Sequence, residues 1–262
     1  MTTTRIAITA SALATALLLA SANAGAQDTG PSDEALFFGW SAGVKGGFGG
    51  NYLTPPDDVP LGLGDAPLAD GAGGFGGGGG IAGEFRALWG HLGLEIDILF
   101  DRQKNWASIT YNNVVETDWI TRATSLRVPI LLEGHLDGPM VRASLGIGPE
   151  FVVGLAADTD VEVTEGGQYV TAGDLADIRS RFSARTATDT YLAVALGFAI
   201  KVWVLNITID LRYAYNLTQP DAYLDRAAIT ADSTGWTIDT VASSTMDGRV
   251  LLGVSYDGAF DI

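Results

Sequence analysis

The sequence predicts an all-β fold: an eight-stranded antiparallel up-and-down transmembrane β-barrel with short periplasmic turns and long extracellular loops. Three observations carry that expectation. Eight segments alternate apolar and non-apolar residues with period two, the pattern of a strand lying between two unlike environments. The connections between them alternate short and long, as the two rims of an up-and-down membrane barrel do. The non-apolar faces are built from small residues and balanced charges, which suits the inside of a narrow barrel.

Along the chain, the first 26 residues read as a secretory signal peptide. They hold a single charge, Arg5, then an apolar run from Ile6 to about Ala20 and A-x-A sites ending at Ala24 and Ala26. The run is short for a spanning helix. Residues 27–35 are expected to form a short periplasmic segment, and residues 36–262 the barrel domain. Without Arg5 the chain has 14 basic against 31 acidic residues, a net charge of −17. Such a chain repels nucleic acid and anionic headgroups. It has no cysteine, hence no disulfide framework.

The first strand is expected over 37–48, with Phe38, Trp40, Ala42, Val44 and Phe48 on one face and Ser41 and Lys45 on the other. The second, 81–89, sets Ile81, Phe85, Ala87 and Trp89 against Glu84 and Arg86. The third, 91–100, is "HLGLEIDILF", with Leu92 to Phe100 on one side and Glu95 and Asp97 on the other. The fourth, 125–136, opposes Leu126, Val128, Ile130 and Leu132 to Arg127 and Glu133. The fifth, 141–153, opposes Val141, Leu145, Ile147 and Phe151 to Arg142 and Glu150. The sixth, 191–201, ends its non-apolar face on Lys201. The seventh, 205–215, carries Asp210 and Arg212, and the eighth, 249–260, Arg249 and Asp257. Short joints fall around Trp89-Gly90, at 137–139 and around Trp203-Val204. Long ones span roughly 49–74, 101–118, 155–190 and 216–248.

A soluble barrel would turn the apolar face inward, and a membrane barrel turns it outward. The other face decides. It is rich in residues without bulk, among them Gly39, Gly43, Gly93, Gly146, Ala193 and Gly197. A water-facing strand has no need of them, whereas the interior of eight strands has little room. That face also holds Lys45, Arg86, Arg127, Arg142, Lys201, Arg212 and Arg249 against Glu84, Glu95, Asp97, Glu133, Glu150, Asp210 and Asp257. Seven against seven is the balance an enclosed interior requires. Those charges placed on lipid would cost up to ~2–4 kcal/mol each near the midplane. The expectation is therefore an interior charge network that is structural and plugs the lumen.

"SLRVPILLEGHL" (125–136) followed by "VRASLGIGPEFVVGL" (141–155) is a strand with an apolar-Pro-apolar core, a tight turn, and a Gly-rich strand ending Gly-Pro-x-Phe. This pair resembles the outer-membrane β-barrel family that includes PorT, on a barrel of the OmpA/OmpX kind. The likeness in arrangement spans about 36–260, its distinctive part 125–155. It implies an eight-stranded barrel in a Gram-negative outer membrane, and one founding member of the family is tied to protein secretion. The chain departs from the family's usual aromatic ending, since Phe260 is followed by Asp261-Ile262. Pro129 and Pro149 each remove a ladder donor, so bulges are expected there.

No catalytic, cofactor or metal residues are expected. The two histidines, His91 and His135, are placed by parity inside the short-turn rim as neighbours of each other and of Glu133, filling the plug. "GGFGGGGGIAGE" (73–84) has no GK[ST] and no following helix, which dismisses phosphate binding. The repeated "GGFGG" at 46–50 and 73–77 reads as compliant strand ends. Arg122, on the outward side near the loop end, is expected to reach headgroups. A short helix within 173–182 is expected, capped by Asp174, with Leu175, Ile178 and Phe182 on one side. The four long loops hold nineteen acidic residues against Arg102, Lys104, Arg179, Arg181, Arg185 and Arg226, a net of −13. They are the expected contact for an extracellular or envelope protein partner, with outer-membrane lipid around the belt. The functions that remain are a structural or surface-interaction role first, a secretion or membrane-assembly accessory second, and a narrow pore or ligand transporter third.

Overall fold

The computed structural model describes residues 38–53, 68–88, 90–111, 115–138, 140–203, 205–218, 228–232 and 235–260. The expected signal peptide, the 27–35 segment, Trp89 and the C-terminal Asp261-Ile262 lie outside them. Eight strands close a barrel: β1 (Phe38–Tyr52), β2 (Leu68–Ala87), β3 (Leu92–Tyr111), β4 (Val115–Asp137), β5 (Val141–Glu165), β7 (Thr188–Val202), β8 (Leu205–Asn216) and β11 (Met246–Phe260). Each pairs antiparallel with its neighbours, and β11 returns to β1 with Phe38 opposite Phe260. Three shorter strands, β6 (Phe182–Thr186), β9 (Ala228–Asp232) and β10 (Gly235–Ala242), form a separate sheet in the order β6-β10-β9.

Each of the eight segments read from the sequence overlaps a ring strand, but several strands run on past them. β2 starts at Leu68, β3 continues to Tyr111, β4 starts at Val115 and β5 continues to Glu165. Most of the expected loop 101–118 is therefore strand, as are parts of 49–74 and 155–190. At 25 residues, β5 is about 80 Å of strand, where roughly 9–11 residues cross a bilayer. The alternation stops at the lipid because only there do the two faces differ sharply. Pairing holds the strands beyond it.

The greasy face is outside. Val44 and Ile81 are 60% exposed, Phe100 58% and Leu132 53%, while Lys45, Arg86, Asp97, Arg127 and Glu133 are buried. An exposed apolar belt around a charged interior inverts a water-soluble protein and fits a barrel that crosses a membrane.

Several expectations change in detail. The prolines cause no bulge: Pro129 pairs with Glu150 and the ladder resumes in the same register at Leu132–Ile147. A proline removes one donor while keeping an extended φ, and the flanking pairs hold the alignment. The β4–β5 register shifts fall instead at Glu116/Thr117 and Thr124/Ser125. The helix, α1 (Ala172–Ser180), starts earlier than expected and places Asp174 inside it. Leu175 donates its N–H back to the Thr171 carbonyl. Phe182 lies beyond the helix in β6, its ring 5.0 Å from that of Trp119. Trp119, Val161, Phe182 and Val241 are all buried, a small second core above the barrel that the 155–190 and 216–248 connections help to build. Arg122, on the outward side, meets Asp158 across the β4–β5 ladder at 3.4 Å.

The two "GGFGG" segments, expected as compliant strand ends, pair with each other, Phe48 opposite Gly77 and Gly49 opposite Gly76, with the Phe48 and Phe75 rings 6.0 Å apart on the outside. A Cβ at Gly78 would lie 1.8 Å from the Phe100 carbonyl oxygen, and one at Gly47 2.0 Å from that of Val250. The inner wall here is bare backbone, and the volume it frees is taken by long side chains from the other strands.

Candidate functional site

The inward positions of the strands stack their charges in tiers. In the middle tier Lys45 (β1) bonds Glu95 (β3) and lies 2.8 Å from Asp210 (β8) and 3.7 Å from Asp97 (β3). Arg212 (β8) donates from Nη2 to Asp97 at 2.8 Å and to Glu95 at 3.1 Å. β3 and β8 stand four places apart in a ring of eight, so this bridge crosses the full lumen.

Toward the long-strand end, Arg127 (β4) donates from Nε to Glu150 (β5) and from Nη1 to Asp247 (β11) at 2.7 Å. β4 and β11 are also diametrically opposed. Arg249 (β11) makes a two-pronged contact to Asp101 (β3) at 2.6 and 2.7 Å and reaches Asp247 at 2.7 Å. Gln103 adds a bond to Asp247 at 2.9 Å. The Arg127 guanidinium also lies 5.7 Å from the centre of the Tyr191 ring, within range of a cation–π contact. Above this tier the segment Ser243–Thr245 is buried. Tyr191 donates its hydroxyl to the Ser244 carbonyl, Asn216 bonds Ser243 and Ser244, and Ser243 bonds Asp189.

At the short-turn end Arg86 (β2) reaches Asp257 (β11) at 2.7 Å and Glu84 at 3.8 Å. Arg142 (β5) contacts Asp137 at 2.8 Å and Asp257 at 3.6 Å, and Lys201 (β7) meets Asp137 at 2.9 Å. His135 and Glu133 (β4) turn toward Glu84, with His135 Nε2 2.8 Å from Glu84 and 3.7 Å from Glu133. A small pocket of about 50 Å³ lies in the lumen between this tier and the middle one.

All fourteen charges placed inward by parity thus enter one of three clusters. Sequence reasoning left Asp101, Asp189 and Asp247 in the acidic loops and Asp137 in a short turn. The first and third are 2% exposed, and with Asp137 they break the seven-to-seven balance in favour of acid. Their signal was present: Asp101 continues the inward series of Glu95 and Asp97, and Asp247 stands two residues before Arg249. The strand limits drawn from hydropathy cut both off. The expected His91–His135 neighbourhood inside the rim is half wrong. His135 is buried, but His91 is exposed at the β2–β3 turn, its Nδ1 3.4 Å from the His135 carbonyl.

No family model matches the chain, and no curated protein matches it either. Solved structures do. The chain is similar to the outer membrane protein OprG from Pseudomonas aeruginosa, with 11% identity over 86% of this chain and 97% of that one, TM-score 0.39. It is similar to Neisserial surface protein A, with 12% identity, 85% and 99% covered, TM-score 0.31. It is also similar to Ail, the attachment invasion locus protein of Yersinia pestis, with 10% identity, 83% and 98% covered, TM-score 0.29.

Proposed function

We propose that this chain is an outer-membrane barrel with a structural or surface-interaction role, non-catalytic, its lumen a plug and its acidic long-strand end turned outward from the cell. The observation that carries the plug is the pair of ties, Arg212 to Asp97 and Arg127 to Asp247, each joining opposite walls of the ring. A guanidinium bound on both sides of a narrow lumen leaves no path for a solute. Breaking such a buried pair leaves an uncompensated charge, so the ties resist opening.

The surface role is supported by what stands above the belt. β2, β3, β4 and β5 rise together as one continuous wall, backed by the buried Trp119 cluster. The wall carries acid: Asp118 sits directly opposite Glu162, with Asp158 and Glu165 exposed nearby. The exposed acid of Asp158, Glu162 and Glu165 is the charge that a basic partner surface would meet. Residues 125–155 support a second reading, membership of the PorT family with an accessory role in secretion.

Planar-bilayer recording tests the plug. The unmutated barrel should insert without steady conductance, and a stable open channel whose selectivity shifts on changing Glu95 or Asp97 would overturn it. For the surface role, neutralising Asp158, Glu162 and Glu165 together should abolish retention of an envelope partner while leaving the barrel folded.

A further inference from the structure

The short-turn tier contains a group of side chains that the plug does not use. Glu84 comes from β2 and Glu133 and His135 from β4, and one ligand atom from each lies within 4.8 Å of the other two. The His135 side chain is 2% exposed. Even so, its Nδ1 has no hydrogen bond, and its Nε2 has only the charge contact with Glu84 Oε1 at 2.8 Å. Nε2 faces two carboxylates at once, at 2.8 and 3.7 Å. A ring nitrogen carries at most one proton and satisfies at most one of them. A cation at the point where the three converge satisfies all.

The neighbouring strands are cut back to make the space. A Cβ at Gly93 on β3 would lie 2.4 Å from His135 Nε2 and 2.7 Å from Glu84 Oε1. One at Gly146 on β5 would lie 2.9 Å from Glu133 Oε1. The nearest guanidiniums make their short contacts elsewhere, and Arg86 approaches Glu84 only through Nε at 3.8 Å. Arg86 turns its Nη2 to Asp257 at 2.7 Å, and Arg142 holds Asp137 at 2.8 Å. The two glutamates are left without a full cationic partner. All three side chains also line the lumen pocket, which has room for water.

We propose that Glu84, Glu133 and His135 form a divalent-cation site of the zinc class. His135 Nε2 and one oxygen from each glutamate are the ligands, and water from the lumen pocket completes the shell. One imidazole with two carboxylates is a donor set for zinc, whereas calcium and magnesium take oxygen alone. The ion ties β2 to β4 across β3 and supplies the charge that the acid-rich lumen lacks.

The test uses the refolded full barrel in detergent, stripped with a chelator and titrated calorimetrically with Zn²⁺. One ion per chain should bind. His135→Gln and Glu133→Gln should each weaken binding at least tenfold, while His91→Ala and Asp158→Asn leave it unchanged. Heat-modifiable migration checks that each variant is folded. The unmutated barrel gives a second readout: bound Co²⁺ should produce visible ligand-field bands and shifted imidazole proton signals. No saturable binding, binding indifferent to His135→Gln or removed by His91→Ala, or a Co²⁺ form without imidazole signals would each overturn the proposal, the last even where a variant does not fold.

Discussion

At the long-strand end of the lumen, Arg127 and Arg249 meet Asp101, Asp247 and Glu150, and both oxygens of Asp101 and of Asp247 accept hydrogen bonds. At the short-turn end, Glu84, Glu133 and His135 are as close together and almost as dry, yet His135 has no hydrogen bond from its ring. Both ends bury charge. One end pairs it with guanidinium, whose fixed fork reaches a carboxylate on each side. The other leaves acid facing acid around an imidazole. Burial of charge alone therefore does not define a plug. What separates the two ends is whether a guanidinium reaches the buried carboxylates directly.

Three substitutions sharpen that contrast. The largest effect should come from Arg127→Ala, which strands Glu150 in the lumen and takes one of two guanidiniums from Asp247. A loss of about 3–5 kcal/mol is expected for breaking a buried pair, read by denaturant unfolding of the barrel in lipid or detergent. A loss below about 1 kcal/mol would mean that water already screens this tier. Next comes Gly78→Ala, which pushes a methyl group against the Phe100 carbonyl on the bare wall. Overpacking of this kind costs about 1–3 kcal/mol, and an unchanged midpoint would show that β2 and β3 separate freely. The smallest effect belongs to Glu133→Gln in the metal-free barrel. Removing one of two neighbouring carboxylates with no saturating partner should change stability by less than about 1 kcal/mol, the opposite of Arg127→Ala at similar burial. A loss as large as that of Arg127→Ala would make the two ends alike.

Most of the ring was legible in the sequence. Period-two alternation placed all eight spanning segments, because lipid and lumen are as unlike as two faces of a strand can be. Parity then sorted the fourteen inward charges from the lipid face, with Lys201 and Asp257 near the rim. The same signal ended where the lipid ended, which is why the upper halves of β2 to β5 read as loops and took Asp101 with them. His91 illustrates the other limit. Parity assigns a face along a strand, but His91 sits at a turn, where the chain reverses and the faces are no longer defined.

The sequence by itself determined the number of ring strands, the direction of the greasy face and the kind of residue inside, since each follows from local alternation and the solvent on either side. Only the tertiary structure decided which charge meets which. Arg127 and Asp247 are 120 residues apart in the chain and meet because closing the ring puts β4 opposite β11. Glu84, Glu133 and His135 converge because Gly93 and Gly146, on strands that carry none of the three, leave the space between them open. Such meetings depend on ring order, stagger and the volume left by absent side chains, quantities that exist only once the barrel is closed.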